Sequence, residues 1–162
     1  MSTKYYQRLE NYDIKEKDFV LIQKDSEIYY GQVNQENMRH GIGTLLFEND
    51  FIYQGMFDND HQTGIGMSRD PNGTVYLGEH REGKREGKGI LYFSDGRVYQ
   101  GTWMNNRMHG KGQEKLPNGQ SYMVFTDNGK RLEYVTIGKD QEGNNQNLHG
   151  QGMGYGAGYG GG

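Results

Sequence analysis

Cysteine is absent from the 162 residues, which removes disulfides, Cys-ligated zinc, iron–sulfur clusters and thiol nucleophiles from the possible chemistry. Long apolar runs are missing as well. The longest, such as Phe19–Ile22 and Ile90–Phe93, have four residues, against the roughly 20 that a membrane-spanning helix needs. Residues 1–10 lack the apolar stretch of a secretory signal, so a soluble, intracellular chain is expected. Leu, Ile, Val and Phe together number only 29, a proportion that ordinarily accompanies disorder.

What is present argues against disorder. The formal net charge is only -3, and the chain holds 27 Gly, 13 Tyr, 6 Phe and 1 Trp with just two Pro. Few aliphatics, many flat rings and abundant bare backbone point to aromatic surfaces packed on glycine rather than to a helical core.

A 23-residue period organises the chain. Tyrosines recur at Tyr29, Tyr53, Tyr76, Tyr99 and Tyr122, and two residues after the first four come Gly31, Gly55, Gly78 and Gly101. Next comes Val33, Phe57, His80 or Trp103, then a polar loop and a Gly-x-Gly pair at 41/43, 64/66, 87/89 and 110/112. Turn sequences such as Pro71-Asn72-Gly73 and Ser94-Asp95-Gly96 close each unit. Landmarks two residues apart mean strands, so each unit reads as a β-hairpin. The register expected puts Trp103 opposite Gly112, Tyr99 opposite Leu116, Phe57 opposite Gly66 and His80 opposite Gly89, with rings lying over glycine on one face. About eleven strands are expected, the last hairpin turning at Asn128-Gly129.

These residues resemble the MORN repeat: Tyr-x-Gly-x-aromatic, a polar turn, Gly-x-Gly, and a Gly before the next Tyr. Tyr99-Gln100-Gly101-Thr102-Trp103, His109-Gly110-Lys111-Gly112 and Asn118-Gly119 form the cleanest copy. Asp50 (for Gly), Asp70 (for an apolar residue), His80 and Val124 depart from the pattern. The resemblance implies an all-β fold, an elongated, twisted single-layer antiparallel sheet of consecutive hairpins. It also implies a binding or scaffolding role, as in ciliary radial-spoke components, membrane-junction proteins and lipid kinases. The expected organisation is an arm over 1–18 and a repeat sheet over 19–136, followed by a flexible Gly-rich tail over 137–162. The repeats fall at 29–52, 53–75, 76–98 and 99–121, with a partial one at 122–136.

Catalytic, metal and cofactor residues are not expected. Gly83–Lys88 is one residue short of a phosphate loop and has Gly89 where Ser or Thr would hold magnesium. His40, His61, His80, His109 and His149 lack metal-ligand spacing, and His40 and His109 share one repeat position. A negative net charge without a recognised motif argues against nucleic acid. A single-layer sheet offers no shaped pocket for acid–base catalysis or a small-molecule substrate.

The face opposite the tyrosines is more informative. In the first two repeats it carries Ile42, Leu46, Ile52, Met56, Ile65 and Met67, an apolar strip expected to meet other protein subunits. The competing expectation is that the 1–18 arm, with Tyr5, Leu9 and Tyr12 at helical spacing, folds over it. Arg81, Lys84, Arg85, Lys88, Arg107 and Lys111 are the candidates for contacting anionic lipid in a peripheral membrane adaptor. Glu79, Glu82 and Glu86 lie among them, which favours a solvated face. The expected function is a non-enzymatic scaffold subunit of a cytoskeletal assembly in the cytoplasm. The resemblance points within the cytoskeleton to the ciliary axoneme and its radial spokes.

Overall fold

A computed structural model describes residues 19–24, 26–139 and 145–148. The 1–18 arm and residues 149–162 lie outside the described residues. The chain divides into two compact units, Met1–Lys84 and Arg85–Gly162. The described residues are all-β, without a helix. The first unit holds β1 (Phe19–Lys24), β2 (Glu27–Val33), β3 (Arg39–Phe47), β4 (Ile52–Asp58), β5 (His61–Arg69) and β6 (Val75–Arg81). The second holds β7 (Lys84–Tyr92, its first residue falling at the end of the first unit), β8 (Val98–Met104), β9 (Arg107–Lys115), β10 (Ser121–Asp127), β11 (Lys130–Lys139) and β12 (Asn145–Leu148). Within each unit every strand pairs antiparallel with the next in the chain. β12 is one strand beyond the expected eleven, and it lies in the segment read as tail.

Hairpin register departs from the expectation. Tyr53 faces Ser68, Gly55 faces Gly66 and Phe57 faces Gln62. In the fourth repeat Tyr99 faces Glu114, not Leu116, and Gly101 faces Gly112, while Trp103 faces Met108. On its β5 side His80 lies opposite Gly64, a pairing separate from the one expected with Gly89. The reason is the turn. Asn59 and Asp60 both have positive φ (45° and 68°), as do Asn105 and Asn106 (48° and 67°), which makes a two-residue type I′ turn instead of a longer polar loop. A bulge follows in each hairpin, where pairing shifts after Gly55 and after Gly101. The first glycine of each Gly-x-Gly occupies it, as Gly64 does with φ +57°, a geometry L side chains adopt only with strain.

The result is a pair of glycines facing each other beneath one tyrosine ring. A Cβ added at Gly66 would come within 2.4 Å of the Tyr53 hydroxyl, and one at Gly55 within 2.6 Å of the Gly66 Cα. Tyr29 covers Gly31 and Gly43 likewise, and Tyr99 covers Gly101 and Gly112. Each glycine costs roughly 0.5–1 kcal/mol of backbone entropy, which burial of the ring offsets: Tyr29, Tyr53, Tyr76 and Tyr99 are all at most 1% exposed. Three of the four hydroxyls are satisfied locally: Tyr29, Tyr53 and Tyr76 donate to the backbone carbonyls of Gln32, Met56 and Glu79 at 2.6, 3.0 and 3.0 Å.

Neighbouring repeats lock through the same rings. In the first unit Tyr29, Phe57, Tyr53, His80 and Tyr76 follow one another edge to face, with centroids 5.0–5.2 Å apart, each contact worth about 0.5–1.5 kcal/mol beyond area burial. His80, a departure in sequence, fills the same slot as Phe57 and is buried. Tyr99 and Trp103 repeat the contact in the second unit. There Glu114, also buried, receives Arg97 at 3.1 Å and Arg131, satisfying a charge that would be costly alone. The turns add a second lock. The amides of Asp60, Gly83, Asn106 and Gly129 donate to the carbonyls of Arg39, Gln62, Arg85 and Met108, the same bond at each 23-residue step. Asp50 replaces the usual glycine and adopts φ +65°, a left-handed conformation that Asp tolerates better than most residues.

Gly55→Ala should lower stability by about 1–3 kcal/mol, because the new methyl meets backbone and a buried ring at once. Urea unfolding measures this, and an unchanged midpoint would contradict the packing described.

Candidate functional site

Period-two alternation sends every residue between the tyrosines and glycines to the other face. In the first unit that outer face pairs Ile42 with Met56, Leu46 with Ile52 and with Ile28, and Met67 with Leu77. Leu21 pairs with Tyr30 there, and Phe19 stacks on Tyr30 at 5.4 Å. Exposure is substantial: Ile65 58%, Met56 47%, Ile42 44% and Leu46 39%. Ile52 and Met67 are half-buried among them. The six apolar residues expected from sequence thus share one face of the first unit. Exposed Ile28, Tyr30 and Leu77 belong to it too and were missed, although alternation with Tyr29, Gly31 and Tyr76 marks them in the sequence.

This face is nearly uncharged. Away from the turn ends, Arg69 and Glu79, paired with Val75 and Ile65, are its charged side chains, and Thr44 and Gln54 pair near its middle. Charge gathers at the turns, where His40 lies 3.3 Å from Asp58 and Arg39 contacts Asp60 at 3.1 Å and Glu27 at 3.3 Å. A shallow, open polar cleft lined by Asp58, Asn59, His61, Thr63, Arg81 and Glu82 sits there. His109 and Asp127 repeat the His40–Asp58 contact at 3.3 Å in the second unit, which fits a repeat-position role for these histidines.

The outer face of the second unit differs. Lys88 pairs with Thr102, Gln100 with Gln113, and Lys111 with Phe125. The lipid-contact candidates are divided between the units: Arg81 and Lys84 belong to the first, and Arg85, Lys88, Arg107 and Lys111 to the second. Lys88, Arg107 and Lys111 are exposed. Arg85 is half-buried, its guanidinium 5.6 Å from the centroid of Trp103 and its amide donating to Asn106. Its charge is engaged by the inner packing.

A family model described as MORN repeat matches residues 29–50, 53–75, 76–96 and 99–121, more than half of the chain. A search of curated proteins gives no match. Among solved structures, the chain aligns with the TCP domain of SAS-4 (dCPAP) of Drosophila Melanogaster, in complex with a Proline Rich Motif of Ana2 (dSTIL). Identity is 11%, coverage is 82% of this chain and 90% of that one, and the TM-score is 0.35. At that score the likeness carries no argument about function.

The inner face has its own titration signature. Burial pushes the Tyr29 and Tyr53 hydroxyls up to about 12 and raises that of Tyr99. A raised folded-state value means that the neutral ring stabilises the fold fully below the unfolded value, near 10. That contribution is lost as pH climbs through about 12. Stability should therefore fall between pH 10 and 12. In a spectrophotometric titration at 295 nm, Tyr29, Tyr53 and Tyr99 should ionise only above the ordinary tyrosine range, as the fold is lost. Ionisation of all tyrosines in one step near pH 10, with the fold intact, would contradict the burial.

Proposed function

We infer the function of this chain from the family to which it belongs, for it is a MORN-repeat protein, built from a repeat that binds and scaffolds. MORN repeats commonly mediate contacts with proteins or membranes. Within that range the chain acts as a non-enzymatic scaffold subunit that meets other proteins through the outer face of its first unit. One observation carries this reading: exposed aliphatic and Met side chains gathered on a nearly uncharged face, while the opposite face is consumed by ring-on-glycine packing. Exposed apolar patches with polar surroundings mark interaction sites. The setting proposed is a cytoplasmic, cytoskeletal assembly, and within it the ciliary axoneme with its radial spokes.

A second reading rests on Lys88 and Lys111, exposed on the outer face of the second unit, where each charge near an anionic membrane contributes about 1 kcal/mol. It makes the chain a peripheral adaptor for acidic phospholipids. It ranks below the first because Arg85 is stacked on Trp103.

One fractionation separates the two. The chain, tagged in its native cell, should stay in a pellet that resists detergent and high salt. Met56→Glu with Ile65→Glu should release it while leaving the sheet folded, at a cost of about 1 kcal/mol in all, part of it from setting the new Glu opposite Glu79. Retention of the double variant would exclude this face, and release of the wild-type chain by detergent alone would favour the membrane reading.

A further inference from the structure

Among the described residues β1 pairs on one side alone, with β2, and the backbone says which of its polar groups are left over. The Glu48 amide donates to the Ser26 carbonyl, so the groups of Ser26, Ile28 and Tyr30 point towards β3 and those of Glu27, Tyr29 and Gly31 towards β1. Glu27, Tyr29 and Gly31 stand opposite Lys24, Ile22 and Val20, which are therefore the residues bonded to β2. The amides and carbonyls of Phe19, Leu21 and Gln23 face the other way, off the edge of the first unit. Such a row is a template for another strand.

The usual defences of an edge are missing from this one. Phe19–Gln23 carries neither charge nor Pro, and its pairing with β2 runs without a bulge. By contrast β12, an edge of the second unit, has only four residues, three of them amides. Apolar side chains flank β1 on both faces. Leu21 lies on the outer face opposite Tyr30 and is 69% exposed, more than any other large apolar residue among those described. On the tyrosine face Ile22 packs against the cluster of Tyr29, Leu45, Tyr53 and Phe57 and, like Val20, is only half-buried.

We propose that β1 pairs antiparallel with the β1 of a second copy, about a two-fold axis at Leu21. In that register all three outward-facing residues find each other: Leu21 meets its own counterpart, Phe19 meets Gln23 and Gln23 meets Phe19, each pair exchanging both backbone bonds. A slip of one residue would set these groups against ones already bonded to β2, and a slip of two would leave one of the three unpaired. Val20 then meets Ile22 on the tyrosine face and closes the flank of the ring cluster. A strand of six residues is about 20 Å long, so the contact is small and the dimer a weak, concentration-dependent one. Because the axis stands perpendicular to the sheet, the two outer faces stay on one side. A face about 24 Å wide, from five inter-strand spacings, becomes one of roughly twice that width. The pairing stands on the edge of β1 and holds whether or not that face receives a partner.

Sedimentation equilibrium of the full chain, alone in solution, tests the pairing. The mass should rise from one chain towards two with concentration, and hydrogen exchange at the amides of Phe19, Leu21 and Gln23 should slow over the same range. Leu21→Lys and Leu21→Glu, at an exposed position, each set like charges against each other across the axis and should weaken the dimer about tenfold. An equimolar mixture of the two should recover it, because a pairing of position 21 with itself then joins opposite charges; the recovery also shows that both variants fold. A chain that stays single up to about millimolar concentration would overturn the proposal. So would exchange that is slow at every concentration, the sign of an edge filled within one chain. Variants that dimerise as well as the wild type, or a mixture that recovers nothing, would overturn it too. Met56→Glu with Ile65→Glu, away from this edge, should leave the dimer unchanged, so a failed partner surface and a failed pairing are read separately; loss of the dimer in that variant would place the contact on the face and overturn the edge.

Discussion

A tyrosine ring lying across two facing glycines is the contact on which the rest of this structure depends. It needs three things at once: a ring two residues before one glycine, a second glycine directly opposite, and a bulge that brings the two strands into that register. Tyr53, Gly55 and Gly66 meet all three, with Gly64 supplying the bulge. The arrangement lets a chain poor in aliphatics bury large side chains without a second layer of structure in each unit. It also explains why glycine, normally a weakness in a strand, recurs here at fixed positions.

The same constraint separates the two faces by function. Everything on the tyrosine face is committed: rings lie on glycine, rings meet rings, and Arg39, Arg85 and Arg97 stack over aromatics at 4.4–6.0 Å. The other face is relieved of any part in that packing, so its composition is free to vary between repeats. In the first unit it is aliphatic and Met-rich, and in the second it carries lysines and glutamines. A repeat that stabilises itself from one side can thus present different binding surfaces along its length from the other.

Much of this was legible in the sequence. The 23-residue period, the alternation of faces and the apolar strip from Ile42 to Met67 follow from spacing alone, because period two fixes which side chains share a face. Register was not legible, and the error has a definite source. Treating Asn59-Asp60 as part of a longer loop displaced the hairpin, whereas a two-residue turn with both residues at positive φ draws the strands closer and the bulge after Gly55 then resets the pairing. Neither effect is written in hydrophobic periodicity. The hydrogen bond repeated between successive turns, from Asp60 to Arg39 and from Asn106 to Arg85, was also invisible, since it joins residues 21 apart through backbone atoms that any sequence possesses. His80 was read as a departure from the pattern, and the fold instead uses its flat ring as it uses Phe57.

The central claim concerns where the tyrosine rings lie, and proton NMR reads that directly. A ring held over the Cα of a glycine shields its α protons, so at least one α proton of each of Gly31, Gly43, Gly55, Gly66, Gly101 and Gly112 should resonate well upfield of the ordinary glycine range. Replacing Tyr53 by Leu should return those of Gly55 and Gly66 to that range without moving those of Gly101 and Gly112. Ordinary shifts for all six glycines in the folded wild-type chain would contradict the account.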